Sequence, residues 1–109
     1  MDNDQIEQAP VNDNEGILEM HIRRVPDFDG FGFHIQYNKV YYLVTLVEDN
    51  SPAFQSGLRA NDVILKLNDR STDEIRPKEF VEIVDENSEI ILHIQTYDGY
   101  IRDNPHLLQ

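Results

Sequence analysis

Hydrophobic and polar residues alternate with period two from Leu18 to Arg23, with Leu18, Met20 and Ile22 on one side and Glu19, His21 and Arg23 on the other. That spacing predicts a half-buried strand. The run Pro26-Asp27-Phe28-Asp29-Gly30 breaks the pattern as a loop. Phe33 to Tyr37 alternates again, Asn38-Lys39 reads as a turn, and Tyr41 to Val47 is β-branched and aromatic, so this pair predicts a hairpin. Ser51-Pro52-Ala53-Phe54-Gln55-Ser56-Gly57 carries the punctuation of a short helix: a Ser cap, Pro at the first helical position and Gly as the stop. Val63, Leu65 and Leu67, with Ile64 and Lys66 between them, predict a further strand closed by an Asn68-Asp69 turn. From Pro77 to Asp85 the period lengthens. Phe80, Val81, Ile83 and Val84 make an apolar helical face, and Asn87 is positioned as the stop. Ile90, Leu92 and Ile94 supply a last alternating strand that ends near Tyr97. Strands dominate and connections are short, which predicts an α+β fold: a small open barrel or sandwich capped by two helices.

The 109 residues suit one domain, and 39% hydrophobic with 28% charged residues is a globular balance. Cys is absent, which excludes disulfides, zinc–thiolate sites and thiol nucleophiles. The formal charge is −12, a field that repels polyanions, so nucleic-acid binding and attachment to anionic lipid are not expected. No apolar run is long enough to insert in a membrane. Residues 1–15 carry five acidic side chains and no Lys or Arg, lack periodicity, and read as a disordered acidic leader. The folded domain is expected over 16–97, with 98–109 as a C-terminal extension whose Tyr100-Ile101 packs back and whose Asp103-Asn104-Pro105 turn leads away.

Catalytic and metal chemistry find little footing. His21, His34, His93 and His106 have no ligand spacing, and Asp27-Phe28-Asp29-Gly30 lacks the further ligands of a calcium loop. No nucleophile elbow, zincin or P-loop motif occurs, and Asp73-Glu74 is a solvated turn rather than an acid–base pair. The reading is a non-enzyme without metal or cofactor.

Gly30-Phe31-Gly32-Phe33 is the informative segment. Two glycines let successive backbone N–H groups converge into a small anion-binding nest, and two phenylalanines set apolar surface beside it. A chemistry that is anionic at one end and apolar next to it matches the C-terminus of a peptide.

This segment resembles the Gly-Φ-Gly-Φ carboxylate-binding loop of PDZ domains. Ser51-Pro52-Ala53, Gly57-Leu58-Arg59-Ala60-Asn61-Asp62-Val63-Ile64, Leu67-Asn68-Asp69 and Phe80-Val81-Glu82-Ile83-Val84 follow in the family's order over about residues 17–97. Asn61 and Asp69 replace the family's glycines at positions expected to be left-handed, which Asn and Asp tolerate. The resemblance implies a PDZ-like, partly open five- to six-stranded antiparallel barrel or sandwich with two helices. It also implies a ligand strand added beside Phe33–Tyr37 against the second helix. Backbone N–H groups of Phe31, Gly32 and Phe33, in the loop opened by Gly30, would hold the carboxylate, assisted by Arg24 or, failing that, Arg23. Phe31, Phe33, Ile35, Val81 and Val84 would line the terminal side-chain pocket, with His34, Gln36, Tyr37 and Pro77 completing the groove. Pro77 stands where His selects Ser or Thr two residues before the ligand's end, which implies an apolar or atypical preference there. Glu79, Glu82, Asp85, Asp73 and Glu74 would favour basic ligand residues.

By resemblance, the function is that of an adaptor or scaffold binding C-terminal tails of membrane receptors, channels or transporters. It would be cytoplasmic, membrane-associated through its partners, and a monomer. The rival readings are association with another PDZ domain or with itself through an edge strand or an internal motif, and a regulatory domain of a larger protein.

Overall fold

A computed structural model describes residues 16–108; the acidic leader expected over 1–15 lies outside the described residues. Six strands form one antiparallel sheet: β1 (Leu18–Arg23), β2 (Phe33–Tyr37), β3 (Tyr42–Val47), β4 (Asp62–Leu67), β5 (Arg70–Ser71) and β6 (Glu89–Thr96). The order across it is β1-β6-β4-β3-β2, with β5 paired to β4, so β1 and β2 are the two edges. The sheet does not close into a barrel. Helices α1 (Pro52–Ser56), α2 (Pro77–Glu86) and α3 (Tyr97–Asp103) accompany the sheet, with a 3-10 turn at Thr72–Glu74.

The core follows the alternation. Met20 and Ile22 from β1, Tyr42 and Val44 from β3, Ile64 and Leu67 from β4, and Ile90, Leu92 and Ile94 from β6 pack with Leu58, Ile75 and Phe80. α1 forms as its punctuation predicts: the Ser51 hydroxyl accepts from the Phe54 N–H, Pro52 opens the helix and Gly57 ends it. α2 buries Phe80, while Val81 is left half exposed.

Three local expectations need correction. In β4 it is Ile64, not Leu65, that is fully buried, because the register against β6 shifts between Ile64 and Lys66 and the extra residue swaps the inward phase. At the β4–β5 turn the left-handed residue is Asn68 (φ 56°), while Asp69 is not left-handed. Asn61 (φ 77°) behaves as expected. Asn87 ends α2 in extended backbone rather than left-handed, and its side-chain amide donates to the Ile83 carbonyl at 2.6 Å.

The pattern predicts no helix after β6, yet α3 forms there. The Thr96 hydroxyl caps it by accepting from the Gly99 N–H, the Gln95 amide donates to Asp103, and the Tyr100 ring meets Tyr41 edge-on at 5.1 Å. A 3-10 turn over Pro105–Leu108 follows.

The fully buried Tyr42 is the hub of the molecule's middle. Its hydroxyl donates to the Ile75 carbonyl at 2.6 Å, and its ring lies between those of Tyr37 (4.5 Å) and Phe80 (4.8 Å), joining β2, β3 and α2. Burial pushes the Tyr42 phenol above its ordinary pKa. Tyr42→Phe keeps the rings and orphans the Ile75 carbonyl. It is expected to cost about 1–2 kcal/mol in urea-induced unfolding, and an unchanged midpoint would show that the hydroxyl contributes nothing.

Candidate functional site

The backbone of the β2 edge is arranged to receive a strand. The Glu48 N–H donates to the Gly32 carbonyl (2.8 Å) and the Asn38 N–H to the Tyr41 carbonyl (3.3 Å). These bonds bracket the Phe33–Val47 and Tyr37–Tyr42 pairs as narrow, non-hydrogen-bonded pairs, with a register shift between His34 and Ile35. In such pairs a residue's own N–H and C=O point away from its neighbour. Phe33, Ile35 and Tyr37 therefore aim their backbone groups at the open edge, where α2 stands alongside. Their side chains share a face, and Phe33 and Ile35 pack on the core.

At the head of this edge the chain bends sharply. Gly30 and Gly32 have φ of 81° and 89°, a conformation that side chains disfavour. The Gly32 requirement is also steric: a Cβ there would lie 2.1 Å from the Ser51 Cβ, whereas one on Gly30 would meet nothing within 4 Å. The Phe31 carbonyl accepts from the Ala53 N–H at 2.9 Å, so the bend is fastened to the start of α1 through its carbonyl.

Between the bend, β2 and α2 lies a cavity of about 410 Å³. Its walls include Phe33, Ile35, Val81 and Val84, with Phe80 behind. Of the residues singled out in the sequence, Arg24, Gly30, Phe31, Gly32, Phe33, His34, Ile35, Val81 and Val84 are brought together here, while Gln36, Tyr37 and Pro77 are not among its walls. Volume does not single this cavity out, since hollows of about 400 and 560 Å³ occur elsewhere on the surface. Its unpaired strand edge beside apolar walls and a glycine bend does.

Phe31 is buried, and the Arg24 guanidinium covers its ring at 4.4 Å from the centroid. Arg24 also donates through Nε to the Asn87 carbonyl (2.8 Å) and through Nη2 to the Val84 carbonyl (2.9 Å). It therefore answers the unsatisfied carbonyls at the end of α2 and ties that end to the bend. Arg23 points elsewhere, to Glu89 on β6. The acids expected to act together are split. Glu79 is held by Arg70, a bond that keeps its carboxyl below the usual range, and Asp73 lines a different hollow. Asp85 is at the cavity, joined by Asp29 and Glu48, neither of which the sequence reading placed at the groove. Glu48 lies within 3.5 Å of His34, both exposed. The β2–β3 hairpin was the available signal, because its register brings the end of β3 back to the bend.

The family model for the PDZ domain matches residues 43–96. The chain belongs to the PDZ-domain family. Over 61 residues (56% of the chain) it is 34% identical to the mouse Na(+)/H(+) exchange regulatory cofactor NHE-RF2, of whose length the match spans 18%. The fold is similar to a PDZ domain of choanoflagellate SHANK1 solved with a GIRK3 peptide (TM-score 0.64, 23% identity, 72% of this chain and 90% of that one). It is also similar to the fourth PDZ domain of MUPP1 (TM-score 0.64, 18% identity, 73% of this chain and 74% of that one).

Two measurements test this construction. Gly32→Ala is expected to cost about 3 kcal/mol or more, from strain plus the clash with Ser51, and Gly30→Ala about 1 kcal/mol from strain alone; equal thermal shifts would contradict the packing described. Arg24→Met keeps the apolar stem and removes the bonds to α2. A loss of about 2 kcal/mol in urea unfolding is expected, and no loss would show that the guanidinium does not fasten the helix.

Proposed function

We propose that this PDZ domain binds the C-terminal tails of other proteins by strand addition in the groove between β2 and α2, acting as a non-enzymatic adaptor. The observation that carries the reading is the row of backbone N–H and C=O groups at Phe33, Ile35 and Tyr37, left open beside an apolar cavity and headed by the Gly30–Gly32 bend. Main-chain bonds supply affinity in this mode and alternate side chains supply selectivity. A tail entering antiparallel to β2 delivers its carboxylate to the amides of Phe31, Gly32 and Phe33. Its last side chain then sits among Phe33, Ile35, Val81 and Val84.

Arg24 serves this site chiefly as the clamp on α2, adding positive potential near the bend. Farther along, the partner's antepenultimate side chain meets Val81 and Pro77 and finds no donor on Pro77, so an apolar residue fits there. Asp29, Glu48 and Asp85 at the rim favour basic residues elsewhere in the tail, weakly, because rim charges are screened within about 8 Å at physiological salt. Tails of membrane receptors, channels or transporters are the partner class that the family suggests. No described helix is long and apolar enough to cross a membrane, so attachment to membranes runs through such partners in this reading.

Affinity is expected on the order of micromolar, since one short strand is ordered for a few filled pockets. Amidating a tail peptide should weaken it at least about tenfold, the effect of removing about 1.4 kcal/mol of anion binding. Val81→Lys, at a half-exposed position, should weaken binding with little change in stability. Titration calorimetry reads both; equal affinity of acid and amide would favour association through the β2 edge alone.

A further inference from the structure

The sheet has a second open edge. The Arg24 N–H donates to the Ser88 carbonyl at 2.9 Å, which makes Arg23–Glu89 a narrow pair, and the β1–β6 register runs without a shift from there to Leu18–Ile94. By the same period-two logic, Glu19, His21 and Arg23 turn their backbone N–H and C=O groups outward, away from β6. Their side chains occupy one solvent-exposed face, while Met20 and Ile22 on the other face are buried. The exposed face reads acid, imidazole, base, and that sequence of charges is complementary to its own reverse.

We propose that β1 pairs antiparallel with β1 of a second copy of this chain about a two-fold axis at His21. Centred there, each Glu19 faces the other copy's Arg23, and about six main-chain hydrogen bonds close between outward-facing groups. The contact is isologous, so each charge pair occurs twice. Both ions are exposed and already have partners within the chain, Glu19 with His21 (2.6 Å) and His93 (3.4 Å) and Arg23 with Glu89 (3.3 Å), so the new pairs add to these contacts or displace them. The hydrogen bond from His21 keeps the Glu19 carboxyl below its ordinary range and therefore ionised, and the Arg23 side chain is 75% exposed with a single long contact to Glu89, 3.3 Å. Leu18, half exposed at the end of the strand, gains cover in the same arrangement. An edge strand can be protected by placing Pro or a run of like charge on it; β1 has neither, and a mixed, self-matching row is the pattern that admits a copy. The net charge of −12 opposes pairing, so the dimer is weak and is measured at about 0.15 M salt, where the Debye length is about 8 Å.

Sedimentation equilibrium on the full chain, over concentrations up to its solubility limit, tests this. The wild-type chain is expected to show a monomer–dimer equilibrium. Glu19→Arg and Arg23→Glu should each weaken it about tenfold, because like charges then face each other twice. Mixing the two variants should restore the dimer as a heterodimer. His21→Pro removes the outward N–H together with the imidazole that bonds Glu19, takes no donor from the β1–β6 ladder, and should abolish dimerisation with tail-peptide affinity unchanged, whereas His21→Ala, which removes the imidazole alone, should leave a dimer. A wild-type chain that stays monomeric throughout overturns the proposal. So does a dimer indifferent to the charge and proline substitutions, or one in which the mixed variants pair no better than either alone.

Discussion

The groove exists because α2 is held beside the edge of the sheet without collapsing onto it. An amphipathic helix next to an unpaired strand and an apolar cavity would gain by closing the gap, since burial of apolar area is favourable at about 25 cal/mol per Å². What prevents this is fastening at both ends. At the N-terminal end, the Tyr37–Tyr42–Phe80 stack and the Tyr42 hydroxyl on the Ile75 carbonyl fix where α2 begins. Arg70 adds a tie to Glu79 in the first turn. At the C-terminal end, Arg24 holds the last carbonyls and covers Phe31, so the helix and the glycine bend are positioned by one side chain. Rings set the spacing at one end and a guanidinium at the other, and the half-exposed Val81 faces the space between.

The division between what the sequence reveals and what it hides follows the range of the interactions. Alternation at Leu18–Arg23 and Glu89–Thr96 is local, as are the caps at Ser51 and Gly57, and these elements form where the pattern puts them. The glycine bend is legible through the local need of Gly30 and Gly32 for positive φ, whereas the lack of room for a Cβ on Gly32 is set by the distant Ser51 and is not. Register is not local. The inward phase of β4 turns on a shift against β6, and nothing in Val63–Leu67 announces which residue is skipped. Helix α3 is hidden because it is short and has Gly99 in its middle, so that beside its brief Tyr97, Tyr100 and Ile101 stripe it depends on Thr96, Gln95 and the distant Tyr41 for caps and contacts. Arg24 illustrates the limit best. As a strand-ending arginine it is unremarkable in sequence, and its partners lie about sixty residues away in the chain.

The two edges of the sheet offer the same backbone chemistry with different surroundings, and the surroundings decide who can use them. Beside β2 stand an apolar wall and converging amides, a setting that rewards a foreign chain end with a hydrophobic last residue and a free carboxylate. The surroundings of β1 differ, with a charged row on its exposed face. There the exposed Glu19, His21 and Arg23 side chains can discriminate among incoming strands, and they favour a strand carrying the reverse order of charge. Because β1 and β2 are at opposite ends of the order β1-β6-β4-β3-β2, a strand added at one edge does not occupy the other. A pair of copies joined at β1 would then present two intact grooves. Simultaneous engagement of two tails on one membrane or assembly raises apparent affinity through effective concentration alone, which compensates for the modest strength expected of each groove.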